Sequence, residues 1–376
     1  MGSMAFMFLP SSSDMNPPEA SVPAGAAVLS PLSAYLCLAM LMPGANENTK
    51  AEFEKILGAD WDYVSALAAD IAAQLEKTGG STKLDLANSI WTDDDKAVIE
   101  EEWLKTVKAY FGPDIYSADL PSDGALKAIN KWVNDKTNGM IPKLHDENYD
   151  KDTIMVLLNA LYMKADWAHK FEGNYTNDRE FTKSDGSAVT VPFMNMYEAY
   201  ESYIKTEDAE GIMLPYDDGR LAFIALKPGS GDARGYAASL TGAKLKEALA
   251  AAKADTFVTV NMPKFDTEYS VYLTDALKAM GMTDAFDPDL ADLTGAGRGV
   301  DGPLYISYVF QRVKVDVDEE GTEAAAVTEI ATAKGCALPA DEPIVLTFDK
   351  PFVYAIVDTE TGVPLFAGVM ENPEAK

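Results

Sequence analysis

Very few side chains in this sequence are suited to catalysis. Any Ser-His-Asp or Cys-His site would have to use His145, in "PKLHDEN", or His169, in "DWAHKFE", because no third histidine exists. Both stand among charged residues in what read as exposed surface turns. No GxSxG elbow, GxxxxGK[ST] loop, HExxH pair or EF-hand spacing of carboxylates occurs. Two cysteines make neither a disulfide framework nor a structural zinc site. Cys37, inside "AYLCLAMLM", reads as a buried small hydrophobe, and Cys336 as a small residue of an exposed stretch whose free thiol is open to modification. Asp93, Asp94 and Asp95 read as a solvated turn rather than a cation site. No cofactor or metal is expected, and a hydrolase built on His145 or His169 is the weaker alternative.

The chemistry lies instead in a run without catalytic groups, "EEGTEAAAVTEIATAKG", Glu319 to Gly335. Sorted by strand parity, Thr322, Ala324, Ala326, Thr328, Ile330 and Thr332 make one uncharged face. Glu323, Ala325, Val327, Glu329, Ala331 and Ala333 make the other, with both charges on it. Such a strand fits a sheet buried on its inner side. No proline blocks its ladder between Gly321 and Ala333, and Gly321 offers a hinge with free φ/ψ. Proline returns at Pro339, and "AKGCALPADEP" looks like an exposed loop with protease-accessible bonds. Parity alone allows either a permanent strand followed by a loop, or a segment that is loop in one state and strand in another.

The elements around this run segregate by type. "SPLSAYLCLAMLM" carries an N-cap serine, Ser30, and Pro31 at the first helical position, and reads as a buried helix. Helical spacing continues in "NTKAEFEKILGA", closed by Gly58, in "DWDYVSALAADIAAQLEKTGG", in "EEEWLKTVKAYFG", and in "SDGALKAINKWVNDKTNGMI" with its stop at Gly139. "KLDLANSIWT" alternates like a strand. Thr153 to Trp167, almost uncharged until Lys164, reads as a central strand buried on both faces. Hairpins are predicted around Asp185-Gly186, Asp218-Gly219 and Thr361-Gly362. Strands and helices do not alternate and nothing repeats, so the reading is a single α+β domain over 25–376 after a flexible 1–24.

Composition removes several partners. The 47% hydrophobic content over 376 residues is enough for a large core. A formal charge of -29 repels phosphate backbones, heparin-like polyanions and anionic membranes. No apolar run reaches a membrane span. Met1-Gly2-Ser3-Met4 reads as an expression scar, so a secreted or cell-surface protein with its export signal removed is the expectation.

From about Val28 to Pro373 the sequence resembles the serpins. "SPLSAYLCLAML", "INKWVNDKTNGMIPKL", "VLLNALYMKADWAHKF", "MPKFDTEYSVYLTDALKAMGMTDAF", "ADLTG", "VDVDEEGTEAAAVT" and "DKPFVYAIVDTETGVPLFAGVMENP" follow the family's order. The resemblance implies three β-sheets, about nine helices and a reactive-centre loop at about 319–340, in a monomer of inhibitory, prokaryotic type. It implies irreversible suicide-substrate inhibition. A serine protease attacks the loop, and the cleaved loop enters the central sheet as a new strand and traps the acyl-enzyme. The hinge would comprise Glu319, Glu320, Gly321, Thr322, Glu323, Ala324, Ala325 and Ala326, without the bulky or proline residues expected of a non-inhibitory carrier or chaperone, which is the alternative within the family. Ser30, Ser33 and Asn159 match the shutter, with Gln311 where many serpins have histidine. Trp167 and Lys264 match the breach, with Lys264 paired to Glu319. About sixteen residues past Glu319 lies Gly335, so Lys334, Gly335 and Cys336 flank the candidate reactive bonds. Lys334 suits trypsin-like enzymes, and Ala331 to Ala333 with Ala337 suit elastase- or subtilisin-like ones.

Overall fold

The computed structural model describes residues 26–75, 79–322 and 342–374. Glu323 to Ala326, Lys334, Gly335 and Cys336, together with the N-terminal segment 1–24, lie outside the described residues.

The first part of the chain is helical where caps and periodicity ask for it. After β1 (Ala26–Leu29), helix α1 (Pro31–Leu41) starts at Ser30, whose Oγ accepts from Ser33 N at 3.2 Å. It is buried at every position except Cys37, which is half-buried rather than enclosed. α2 (Glu47–Leu57) ends on Gly58 at φ 77, a left-handed closure that only glycine adopts without strain. Next come α3 (Trp61–Leu75), β2 (Lys83–Thr92), β3 (Ala97–Ile99), α4 (Glu101–Phe111), β4 (Asp114–Ser117) and α5 (Asp123–Lys136). Asp93 departs from the expected solvated turn. It is buried, and pairs with Lys96 at 2.8 Å.

Strands dominate the rest. β5 (Met155–Asp166) is followed by the predicted hairpins β6 (Asn177–Thr182) with β7 (Ala188–Lys205), and β8 (Ala209–Pro215) with β9 (Leu221–Pro228). α6 (Ala233–Ser239), α7 (Gly242–Ala250), β10 (Lys253–Pro263), β11 (Phe265–Tyr272) and α8 (Thr274–Ala279) come next. The chain closes with β12 (Gly297–Gly299), β13 (Phe310–Val317), β14 (Gly321–Thr322), β15 (Ile344–Thr347), β16 (Phe352–Asp358) and β17 (Pro364–Met370). α6 carries no apolar period in "ARGYAAS" and is invisible to sequence patterning.

Three sheets result, as an α+β fold requires. Nine strands form one, in the order β1-β17-β16-β9-β8-β7-β10-β15 with β6 added to β7. Six form another, β11-β13-β14-β5-β2-β4, and β12 pairs with β3. The described residues hold eight α-helices against the nine or so expected, with three short 3-10 turns besides. β5 explains its own charge-poor sequence. Leu161, Met163 and Ala165 enter the main core, while Leu158 and Ala160 join a second cluster with Ile129, Trp132 and Val133 of α5.

Candidate functional site

The six-stranded sheet has an unusual centre. Among the described residues, β5 and β13 are not paired to each other, and two residues stand between their upper ends. Gly321 and Thr322 pair antiparallel with Asp166 and Ala165 of β5, and Thr322 also pairs with Val317 of β13. Thr322 is 3% exposed, and its Oγ1 lies 2.6 Å from Tyr216 Oη. Gly321 is required here for close approach rather than for the free φ/ψ expected from its type. A Cβ on it would sit 2.0 Å from Ala165 O and 2.8 Å from Asp166 Cα.

Four neighbouring groups fasten this junction. Trp167 stacks on Tyr216, ring centroids 4.8 Å apart and planes 9° from parallel. Its Nε1 donates to Asp318 O at 2.9 Å, and its backbone N–H donates to Glu320 O at 2.8 Å. Asp318 Oδ1 accepts from Glu320 N at 2.8 Å and Gly321 N at 3.3 Å, holding the turn into β14. Burial pushes the Asp318 carboxyl up, partly offset by those two N–H groups. Glu319 takes Lys264 Nζ at 2.5 Å and Thr176 Oγ1 at 2.6 Å. Burial works against its ionisation, yet these two donors outweigh it and hold Glu319 below the usual carboxylate range. Lys170 bridges Asp166 at 2.8 Å and Glu320 at 2.7 Å, and both carboxylates push its ammonium pKa upward.

Lower between β5 and β13 lies a cleft of about 50 Å³ lined by Ser30, Ser33, Asn159 and Gln311. Three of the four share one network. Ser30 Oγ donates to Ser33 Oγ at 3.0 Å or to Leu365 O at 2.8 Å. Gln311 clamps the backbone of Ser30 at both ends, its Oε1 accepting from Ser30 N and its Nε2 donating to Ser30 O, each at 2.9 Å. Asn159 does not join. Its Nδ2 donates to Asn88 Oδ1 at 2.8 Å, because Asn88 is its register partner across β2 and β5. Replacing Gln311 with leucine leaves Ser30 N–H without a partner, while Ser30 O keeps the N–H of Ala34 at 3.2 Å, and chemical denaturation should read a native state weakened by about 2 kcal/mol. An unchanged midpoint would mean that water replaces the amide.

Among the described residues neither histidine is part of a hydrolytic site. His145 is not an exposed surface residue. It packs on Phe310 of β13 at 4.4 Å and edge-on to Tyr149 at 5.2 Å, and burial, with Arg312 adding to it, lowers its pKa to about 4. His169 is exposed, with Nδ1 2.7 Å from the buried Glu201, whose pKa burial raises. No serine or cysteine among the described residues is hydrogen-bonded to either ring. Burial pushes the Cys37 thiol up to about 12, leaving it unreactive. Sequence reasoning passed over Tyr216, Asp318, Lys170 and Thr176, because a tyrosine before a hairpin turn or an aspartate in an acidic run has no signature until the strands meet.

In this three-sheet α+β fold a two-residue strand is thus wedged between two long strands at the centre of the six-stranded sheet. The chain belongs to the serpin (serine protease inhibitor) family, whose model matches residues 13–373. It is 33% identical over 364 residues to a leukocyte elastase inhibitor of Sus scrofa, covering 94% of each chain. Among solved structures it is similar to the thermophilic serpin tengpin in the native state, with 32% identity, a TM-score of 0.87, and 99% of this chain and 92% of that one covered. Against tengpin in the latent state the TM-score is 0.80 at 30% identity, with 99% of this chain and 96% of that one covered.

Proposed function

We propose that the protein is an irreversible suicide-substrate inhibitor of serine proteases, acting as a monomer and trapping the acyl-enzyme by inserting its own cleaved loop between β5 and β13. The observation that carries this is the pairing of Gly321 and Thr322 with β5 and of Thr322 also with β13. Continuing the Gly321↔Asp166 and Thr322↔Ala165 register carries the inserted strand down β5 until Thr332 stands opposite Met155, where β5 begins. Thr322 faces inward, so the small or β-branched Ala324, Ala326, Thr328, Ile330 and Thr332 take the same face, while Glu323 comes opposite Lys164. The bonds next to Lys334, Gly335 and Cys336 fall just beyond the end of β5, so a protease attached there is carried the full length of the sheet.

In this reading Glu319 to Ala326 act as the hinge and Trp167 with Lys264 guards the entrance. Ser30, Ser33 and Gln311 fix β13 to the start of α1 beneath the gap, and Asn159 steadies β5 against β2. The target is elastase-like, supported by Ala331 to Ala333 and by similarity to a relative named an elastase inhibitor.

Incubation with pancreatic elastase, subtilisin and trypsin tests this on denaturing gels. The expected result is a covalent band near the summed masses, with mass spectrometry placing the cut between 331 and 338. Cleavage without that band and without a rise in melting temperature would sink the proposal.

A further inference from the structure

At the lower end of the gap between β5 and β13, away from the Gly321–Thr322 junction, lies a second cavity of about 140 Å³. Its walls include Leu38 of α1, Leu144, His145 and Tyr149 of the stretch after α5, Leu157 of β5 and Phe310 of β13. The lining is mostly apolar, and the volume is close to the roughly 150 Å³ of a cavity that takes up benzene. One feature sets it apart from a packing void. Tyr149 is 5% exposed, yet its Oη has no hydrogen-bond partner. A buried hydroxyl left without a partner is destabilising and marks a place where a polar atom belongs. Beside it the His145 ring is neutral above about pH 4, and offers one N–H and one lone pair. Asp152, also on the wall, disfavours anions.

We propose that this cavity binds a small, neutral, single-ring aromatic alcohol, its ring among the apolar walls and its hydroxyl on Tyr149 Oη, and that occupancy regulates inhibition. The second part rests on the strand-insertion reading. A ligand wedged between the start of β5 and the start of β13 occupies the space that the far end of an entering strand must take. The bound protein therefore releases the protease as an ordinary product more often than it traps it.

The test uses p-cresol, with toluene as the probe lacking the hydroxyl, by titration calorimetry on the full chain at pH 7. p-Cresol is expected to bind about five-fold tighter than toluene, one hydrogen bond's worth. Tyr149→Phe, which removes an unpartnered oxygen and keeps the ring, should abolish that advantage, leave toluene affinity unchanged and not lower the melting temperature. Equal affinity for both probes, or no binding, overturns the site. Saturating p-cresol should at least halve the covalent band with elastase and raise the cleaved fraction. Binding with an unchanged ratio overturns the regulatory role. Should no covalent band form even without p-cresol, the inhibitor reading fails, while the calorimetry still decides the site.

Discussion

Replacing Gly321 with alanine is expected to turn the protein from a trap into a substrate. The methyl group would lie 2.0 Å from Ala165 O and 2.8 Å from Asp166 Cα, and both obstacles are backbone atoms of the central strand, which cannot swing aside as a side chain can. Forcing one methyl into such a contact costs about 1–3 kcal/mol. Gly321 and Thr322 already pair with β5 in this structure, so the native protein relieves the contact only by withdrawing them from the sheet, and the same contact must then be remade as the first step of insertion. Insertion competes with deacylation, so about 2 kcal/mol on one branch shifts the partition more than ten-fold. Elastase should still cut the loop at the parent's rate, while the covalent band falls below a tenth of the parent's. Thr322→Ser, which keeps the hydroxyl near Tyr216 Oη, should trap nearly as well as the parent. If Gly321→Ala forms complexes at the parent's yield, the pairing at Asp166 and Ala165 is not a step of the inhibitory path.

The ease of reading this from sequence varied with the range of the interactions involved. Local rules located the Ser30 cap, the Gly58 closure and three hairpins of the nine-stranded sheet, because each depends on residues within a few positions. β5 was legible because a strand covered on both faces cannot carry charge along its middle. The inward face of Thr322 followed from parity, since period 2 leaves two choices and only one is uncharged. The partners of the junction were not legible. Trp167 and Asp318 are 151 positions apart, Tyr216 and Thr322 are 106 apart, and nothing in either local stretch names the other. His145 misled for a related reason. Its neighbours in "PKLHDEN" are charged, but the surface it rests on is Phe310, supplied by a strand far along the chain. Asn159 and Gln311 show the same limit from the other side. Both are amides on one cleft, yet only Gln311 reaches Ser30, because Asn159 is committed by register to Asn88.

The half-buried position of His145 makes acid a specific weakness of the native fold. Burial comes first among the causes that lower its pKa to about 4, Arg312 adds to it, and Asp146 partly opposes. An unfolded histidine titrates near 6.5. Between these values the native state holds fewer protons than the unfolded one, so stability is complete above about pH 6.5. It drains as pH falls and stops changing below about pH 4. The shift corresponds to about 3 kcal/mol across that window. Asp316 and Asp318 act in the opposite sense. Burial pushes both up, with the neighbouring Asp266 adding to the effect on Asp316, so acid stabilises the fold through them. The raw pH curve is therefore a compromise, and the contribution of His145 must be read as a difference. His145→Phe keeps a ring against Phe310 and removes the proton site. Its denaturation midpoint should match the parent's near pH 7 and exceed it increasingly down to pH 4, with a gap equivalent to about 3 kcal/mol. A gap that stays constant from pH 7 to pH 4 would show that the native fold accepts the protonated ring at no cost, and that the packing against β13 opens to let water reach it.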